Sequence, residues 1–122
     1  MKTAVWQDGV RIPVFGSMKP GLAPTKQPSM NDIHWAAGFV EGEAAITKRK
    51  DYPGQPRLMI NQKDIEPLQK CRDLFGGALK QYKYEHGDYW VWTLTGPRAR
   101  GFLFTVYSLL SMRRKQQIKD CF

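Results

Sequence analysis

The order of periodic segments along this chain leaves few folds open. Ser29 or Asn31 can cap a helix over roughly 31–43, and AAITKRK at 44–50 then has strand character. The turn DYPGQP leads into RLMINQ, 57–62, which alternates as a second strand. Asp64 is placed to cap IEPLQKCRDLF, with Pro67 in its first turn and Gly76-Gly77 as a stop. LKQYKYE and DYWVWTL, joined around His86-Gly87, read as a hairpin. Pro97 sits near the first position of a third helix running to about Leu110, and the basic tail SMRRKQQIKD has the makings of a short one. The order is α-β-β-α-β-β-α. Two hairpins in that order imply an α+β domain with a four-stranded antiparallel sheet and helices on one face. Residues 1–28 are rich in Pro and Gly and lack a sustained period, so they read as an extended or disordered arm ahead of a single domain at 29–122.

With helices on one face, the other must meet solvent or a partner. Alternation sorts the side chains. Leu58 and Ile60 oppose Arg57, Met59 and Asn61, while Trp90, Trp92 and Leu94 oppose Tyr89, Val91 and Thr93. Thr47 and Arg49 share a side. In the third strand, Tyr82 and Tyr84 are assigned to the core and Gln81, Lys83 and Glu85 to the open face. That face then carries groups able to meet base edges and phosphates, and a two-stranded ribbon fits a DNA major groove. Thr47, Arg49, Arg57, Met59, Gln81 and Lys83 are the expected DNA contacts, with Lys48 and Lys50 on phosphates. The turn DYPGQP is expected near the outer bases. The plain alternative is a solvated polar face.

The charge favours the first reading. With 19 Lys and Arg against 11 Asp and Glu, the net charge is +8, which suits an anionic partner. Two cysteines, Cys71 and Cys121, are too few for a disulfide framework, and two distant histidines make no zinc spacing. No apolar run spans a membrane and no signal-peptide pattern opens the chain. The expected setting is therefore intracellular: cytoplasm, nucleoid or an organelle matrix.

The stretch HWAAGFVEGEAAIT, 34–47, is an odd helix. Gly38 and Gly42 share one of its faces, at roughly 1 kcal/mol each against alanine. Such a cost suits close approach of a second backbone, whether inside one core or from another copy of the helix. Glu43 lies at the end where the helix dipole is negative, and a cation there would relieve it. Two copies packed through their glycines would bring two Glu43 carboxylates together, which calls for a metal or a shared proton. Hard oxygen donors suit Mg²⁺, and such a site can support phosphodiester hydrolysis.

These residues resemble the LAGLIDADG homing endonucleases, whose signature is often written LAGFIDGEG. Ala36-Ala37-Gly38-Phe39-Val40-Glu41-Gly42-Glu43-Ala44 stand on its nine positions. Ala36 replaces the leading Leu and Ala44 the closing Gly. The element order, NQKDIEPLQK after the second strand and RRKQQ after the third helix extend the likeness over roughly 31–119. The resemblance implies a homodimer joined at the motif helix through Ala37, Gly38 and Gly42, with a saddle-shaped sheet on the major groove of a pseudo-palindromic double-stranded DNA site. It implies Glu43 as a ligand for Mg²⁺ (or Mn²⁺) and a catalytic residue. Gln62 matches a polar position near the scissile phosphate. Arg113 matches a basic position, where it would stabilise the phosphate, since arginine stays protonated and cannot act as a base. Lys115 is its rival for that place. Glu41 reads as a capping or supporting acid rather than a ligand.

Two other readings stay open. One is a protein of the same fold that binds DNA or RNA without cutting, such as a splicing maturase or a regulator. The other is a small basic α+β protein with an acidic partner.

Overall fold

The computed structural model describes residues 5–7, 10–12, 23–50 and 55–122. Two short strands, β1 (Val5–Gln7) and β2 (Val10–Ile12), pair antiparallel as a ribbon apart from the main sheet. The rest of the arm up to residue 22 and the 51–54 part of the DYPGQP turn lie outside the described residues.

The domain then runs α1 (Met30–Glu43), β3 (Ala45–Lys48), β4 (Pro56–Gln62), α2 (Glu66–Phe75), β5 (Ala78–Tyr84), β6 (Gly87–Thr95) and α3 (Gly96–Val106). A 3-10 turn, Tyr107–Leu109, leads to α4 (Met112–Lys119). This is the expected α-β-β-α-β-β-α order, and the basic tail is indeed a helix. The sheet is fully antiparallel, in the order β3-β4-β6-β5.

Local chemistry sets the boundaries. A reciprocal capping box starts α1: the Ser29 hydroxyl accepts from the Asp32 amide at 3.1 Å, and the Asp32 carboxylate accepts from the Ser29 amide at 2.9 Å. Those bonds hold the Asp32 carboxyl below its ordinary range. Pro67 lies in the first turn of α2, as expected, and Asp64 accepts from the Glu66 amide. Gly77 has φ 99°, where a Cβ would meet Leu94 Cδ2 at 2.6 Å and the Thr93 carbonyl at 2.7 Å. Only glycine lets the chain pass that close to β6 on its way from α2 into β5.

The core lies between the helices and one sheet face. Leu58, Ile60, Trp92 and Leu94 are fully buried there against Ala37 and Val40 of α1, Leu68 and Cys71 of α2, and Ala99, Leu103 and Val106 of α3. The Trp92 indole N–H, buried with its ring, donates to the Gly76 carbonyl at 2.8 Å.

Strand pairing corrects the sequence reading of β5. Directly paired residues point the same way, and Leu79 pairs with Trp92 while Gln81 pairs with Trp90. Gln81 and Lys83 therefore share the helix-side parity, and Lys80, Tyr82 and Tyr84 lie on the open face. Aromatic character had suggested the reverse. The tyrosines are accommodated there by one another: Tyr82 and Tyr84 each stack on Tyr89, with ring centroids 5.3 Å apart. In the other strands the expected parity holds. Thr47 pairs with Arg57, and Met59 with Thr93, on the open face.

Candidate nucleic-acid interface and acidic site

Glu43 is the last residue of α1 and is exposed. Ala44 leaves the helix in an extended conformation, φ −79° and ψ 144°, and its side chain is buried. A negative φ accepts a Cβ, so alanine in place of the motif's closing glycine does not disturb the helix end. β4 ends beside it. Gln62 Nε2 donates to Glu43 Oε2 at 3.3 Å, which joins two of the expected catalytic residues across 19 positions of sequence.

The question of two acids at a helix C-terminus has a local answer in α4. The Glu41 carboxylate accepts from the Ser111 amide at 2.7 Å and from its hydroxyl at 2.8 Å. That hydroxyl also accepts from the Arg114 amide at 3.2 Å, as an N-cap should. Arg114 is 5% exposed, and its Nε donates to the Glu41 carbonyl at 3.2 Å. The carbonyl belongs to the last turn of α1, where no helical partner exists, and the guanidinium brings positive charge to the negative end of the dipole. The Ser111 bonds, followed by the charges of Arg114 and Arg113, hold the Glu41 carboxyl below its usual range. Glu41 is thus the supporting acid expected of it.

Arg113 is exposed, and its Nη2 lies 3.8 Å from Glu41 Oε2. Its partner in the structure is Glu41, while Gln62 partners Glu43. Lys115 places its ammonium 5.6 Å from the centroid of the Tyr107 ring. Ser111 and the buried Arg114 were not singled out from sequence. A serine directly before MRRKQQ is the signal that would have found the cap.

The glycines of α1 face outward. Gly38 and Gly42 are exposed, and a Cβ on either meets nothing within 4 Å among the described residues. Close packing among the described residues does not explain them. Ala37, grouped with them by the resemblance, turns the other way: it is 4% exposed and sits in the chain's own core, which corrects its assignment to a contact between subunits.

The expected nucleic-acid contacts divide. Thr47, Arg57 and Met59 lie on the open face. Lys48 and Lys50 are exposed beside them at the sheet edge, and Arg49 bonds through its amide to the Gln55 carbonyl at 3.4 Å. Gln81 and Lys83 have the opposite parity, and Lys80, Tyr82, Tyr84 and Tyr89 stand on the sheet face away from the helices instead.

Among the described residues no three or more His, Cys, Asp or Glu side chains cluster as a metal site. What one chain offers is the Glu43 carboxylate and the Gln62 amide, both hard oxygen donors. That set fits a hard divalent cation shared with phosphate oxygens, water and a second carboxylate. Among the described residues no helix is long and apolar enough to cross a membrane.

No protein-family model and no curated protein matches this sequence. Solved structures do match in fold. The homing endonuclease I-CvuI, in complex with its target in the presence of calcium, superposes with a TM-score of 0.53 at 20% identity, over 75% of this chain and 64% of that one. The archaeal intron-encoded homing endonuclease I-Vdi141I, complexed with DNA, gives 0.53 at 20% identity, over 72% and 63%. The chain therefore spans less than two thirds of the length of these structures. It has the LAGLIDADG homing endonuclease fold.

Proposed function

We propose that the chain is a divalent-metal-dependent endonuclease that hydrolyses both strands of a long pseudo-palindromic DNA duplex as a homodimer, in the homing of an intron or intein. The observation that carries this reading is the Glu43–Gln62 pair, set at the end of a helix whose glycines lie open to a second copy. Residues 29–122 are the DNA-acting domain in this reading, residues 1–28 an accessory arm, and the setting intracellular.

Each residue has a chemical part. Glu43, with its counterpart in a second copy, would hold Mg²⁺ or Mn²⁺. Such a cation, when bound, lowers the pKa of water and stabilises the leaving oxygen. Gln62 fixes the Glu43 carboxylate through its amide N–H and keeps an amide oxygen for water near the scissile phosphate. Arg113 adds positive charge for the phosphate, with the Glu41 carboxylate 3.8 Å from its exposed guanidinium. The open sheet face, with Arg57, Thr47, Met59 and Lys80, lies on the major groove, and Lys48, Lys50 and Lys115 supply phosphate contacts. The +8 charge makes affinity steep in salt.

A second reading, binding without cutting, is favoured by one feature. The basic position of the motif is Arg113, which holds its proton, and the nearby Lys115 ammonium is directed at the Tyr107 ring. Cleavage of a randomised duplex library with Mg²⁺, followed by sequencing of the ends, separates the two. A recovered pseudo-palindrome with staggered cuts is the expected result. Binding of a specific duplex with no cut in Mg²⁺ or Mn²⁺ establishes the second reading instead.

A further inference from the structure

The sheet face away from the helices is closed at one point. Val91 lies on it, midway along β6, and is 3% exposed. Its two directly paired neighbours are Asn61 of β4 and Lys80 of β5. Paired side chains stand side by side, so the valine is flanked by an amide and an ammonium. Asn61 is exposed and Lys80 is half-buried. Burial holds the Lys80 ammonium below its ordinary pKa, and no acid among the described residues pairs with it. The next row of the sheet is Gln62, Trp90 and Gln81, and Gln62 bonds to Glu43. Lys80 thus stands one step along the strands from the Gln62 row and two strand spacings across it, roughly 10 Å. The turn between β3 and β4 is at the other end of β4 from Gln62.

We infer that Lys80 selects guanine, through its ammonium on O6 and N7 in the major groove, in the inner part of each half-site. The inference rests on the homodimeric duplex-DNA reading above. In that reading the Glu43 carboxylates meet at the centre of the site, and a residue one row from Gln62 meets bases near it. An ammonium only donates hydrogen bonds. Guanine is the base whose major-groove edge shows two adjacent acceptors. Adenine sets a donor beside its N7, cytosine shows a donor, and thymine has one acceptor beside a methyl. Strand side chains stand roughly perpendicular to the sheet, so Lys80 is aimed at base edges on the groove floor. Lys48 and Lys50, exposed at the opposite edge of the sheet, are placed for the phosphates that wall the groove. The half-buried stem of Lys80 also has less freedom to lose on binding than theirs.

The test starts with affinity selection of a randomised duplex library by the full chain. Each guanine of the selected site is then replaced by 7-deazaguanine, which puts C–H in place of N7. A parallel set uses inosine, which lacks only the minor-groove amine. The expected result is a guanine in the inner half of each half-site where 7-deazaguanine weakens binding about fivefold or more and inosine does not. Lys80→Met keeps an apolar stem beside Val91 and removes the charge. It should lose discrimination at that base pair and retain it at the others, while Lys80→Arg should keep it. Equal binding of guanine and 7-deazaguanine throughout the inner half overturns the inference and leaves the DNA reading intact. So does a guanine preference that persists in Lys80→Met. A uniform weakening of all duplexes by Lys80→Met makes the residue a phosphate contact and likewise overturns the inference alone. Selection of no duplex at all overturns both.

Discussion

Glu41 and Ser111 are 70 residues apart, and the carboxylate of one accepts both the amide and the hydroxyl of the other. The last turn of α1 is thereby fastened to the first turn of α4. These bonds lower the Glu41 carboxyl from its ordinary 4.5. A depressed folded-state value means that the contribution is present above 4.5 and is lost as pH falls through the lower folded value. Asp32 in the capping box acts in the same direction. Thermal unfolding followed between pH 7 and pH 3 should show the midpoint falling below about pH 4.5. Glu41→Gln should start from a lower midpoint and fall less. An identical profile in that variant would remove Glu41 from the account.

Glu43→Gln should abolish cleavage and leave duplex affinity within a few-fold of wild type. The side chain is exposed and, among the described residues, its hydrogen-bond partner is the Gln62 amide, so the fold should not depend on its charge. Gln62→Ala should reduce the rate of cutting by about 10²–10³-fold, the range for losing a positioned polar group next to the reacting atoms. Chelation of divalent metal should mimic Glu43→Gln. Gel-shift and cleavage assays on the same duplex separate the two effects. Loss of binding in Glu43→Gln would make the residue structural.

Gly38→Leu tests the exposed face of α1. Among the described residues a Cβ at this position meets open space, so the variant should fold at least as well as wild type and gain up to about 1 kcal/mol of helix stability. The dimer should be lost. Sedimentation gives the mass and circular dichroism the fold. An unchanged mass would refute the contact, and a loss of fold would show that the glycine serves the monomer.

Gly77→Ala should behave in the opposite way. The positive φ and the contacts at 2.6 and 2.7 Å leave no room for a methyl group. The expected cost is about 2 kcal/mol or more in urea unfolding. A cost near zero would mean that the α2–β5 junction relaxes freely.

Element order, core and helix ends were legible because they depend on local signals. Ser29, Pro67, the Gly76-Gly77 pair and the alternation of β4 and β6 each act within a few residues of themselves. The phase of β5 was not legible. In the run LKQYKY both alternate sets contain large and polar side chains, and only pairing with Trp90 and Trp92 decides between them. Glu43 and Gln62 were each legible as candidates, but the hydrogen bond between them was not. That of Glu41 with Ser111 was hidden by 70 residues of sequence, although the acid's supporting role and the helical tail were each readable. Ala37 shows the limit of reading a helix by motif: one position beyond it, the helix surface has already turned by 100° or so, from the core to the outside.

The clamp between Glu41 and Ser111 also makes α4 a lever. Ser111 and Arg114 both bond to Glu41 in the final turn of α1, so a rotation of α4 against α1 must break those bonds. A small change in the tilt of α1 that keeps these bonds carries Arg113 and Lys115 of α4 with it. The spacing between the acidic residues at the helix end and the nearby basic ones is therefore a single mechanical coordinate, and any contact that leans on the glycine face adjusts it.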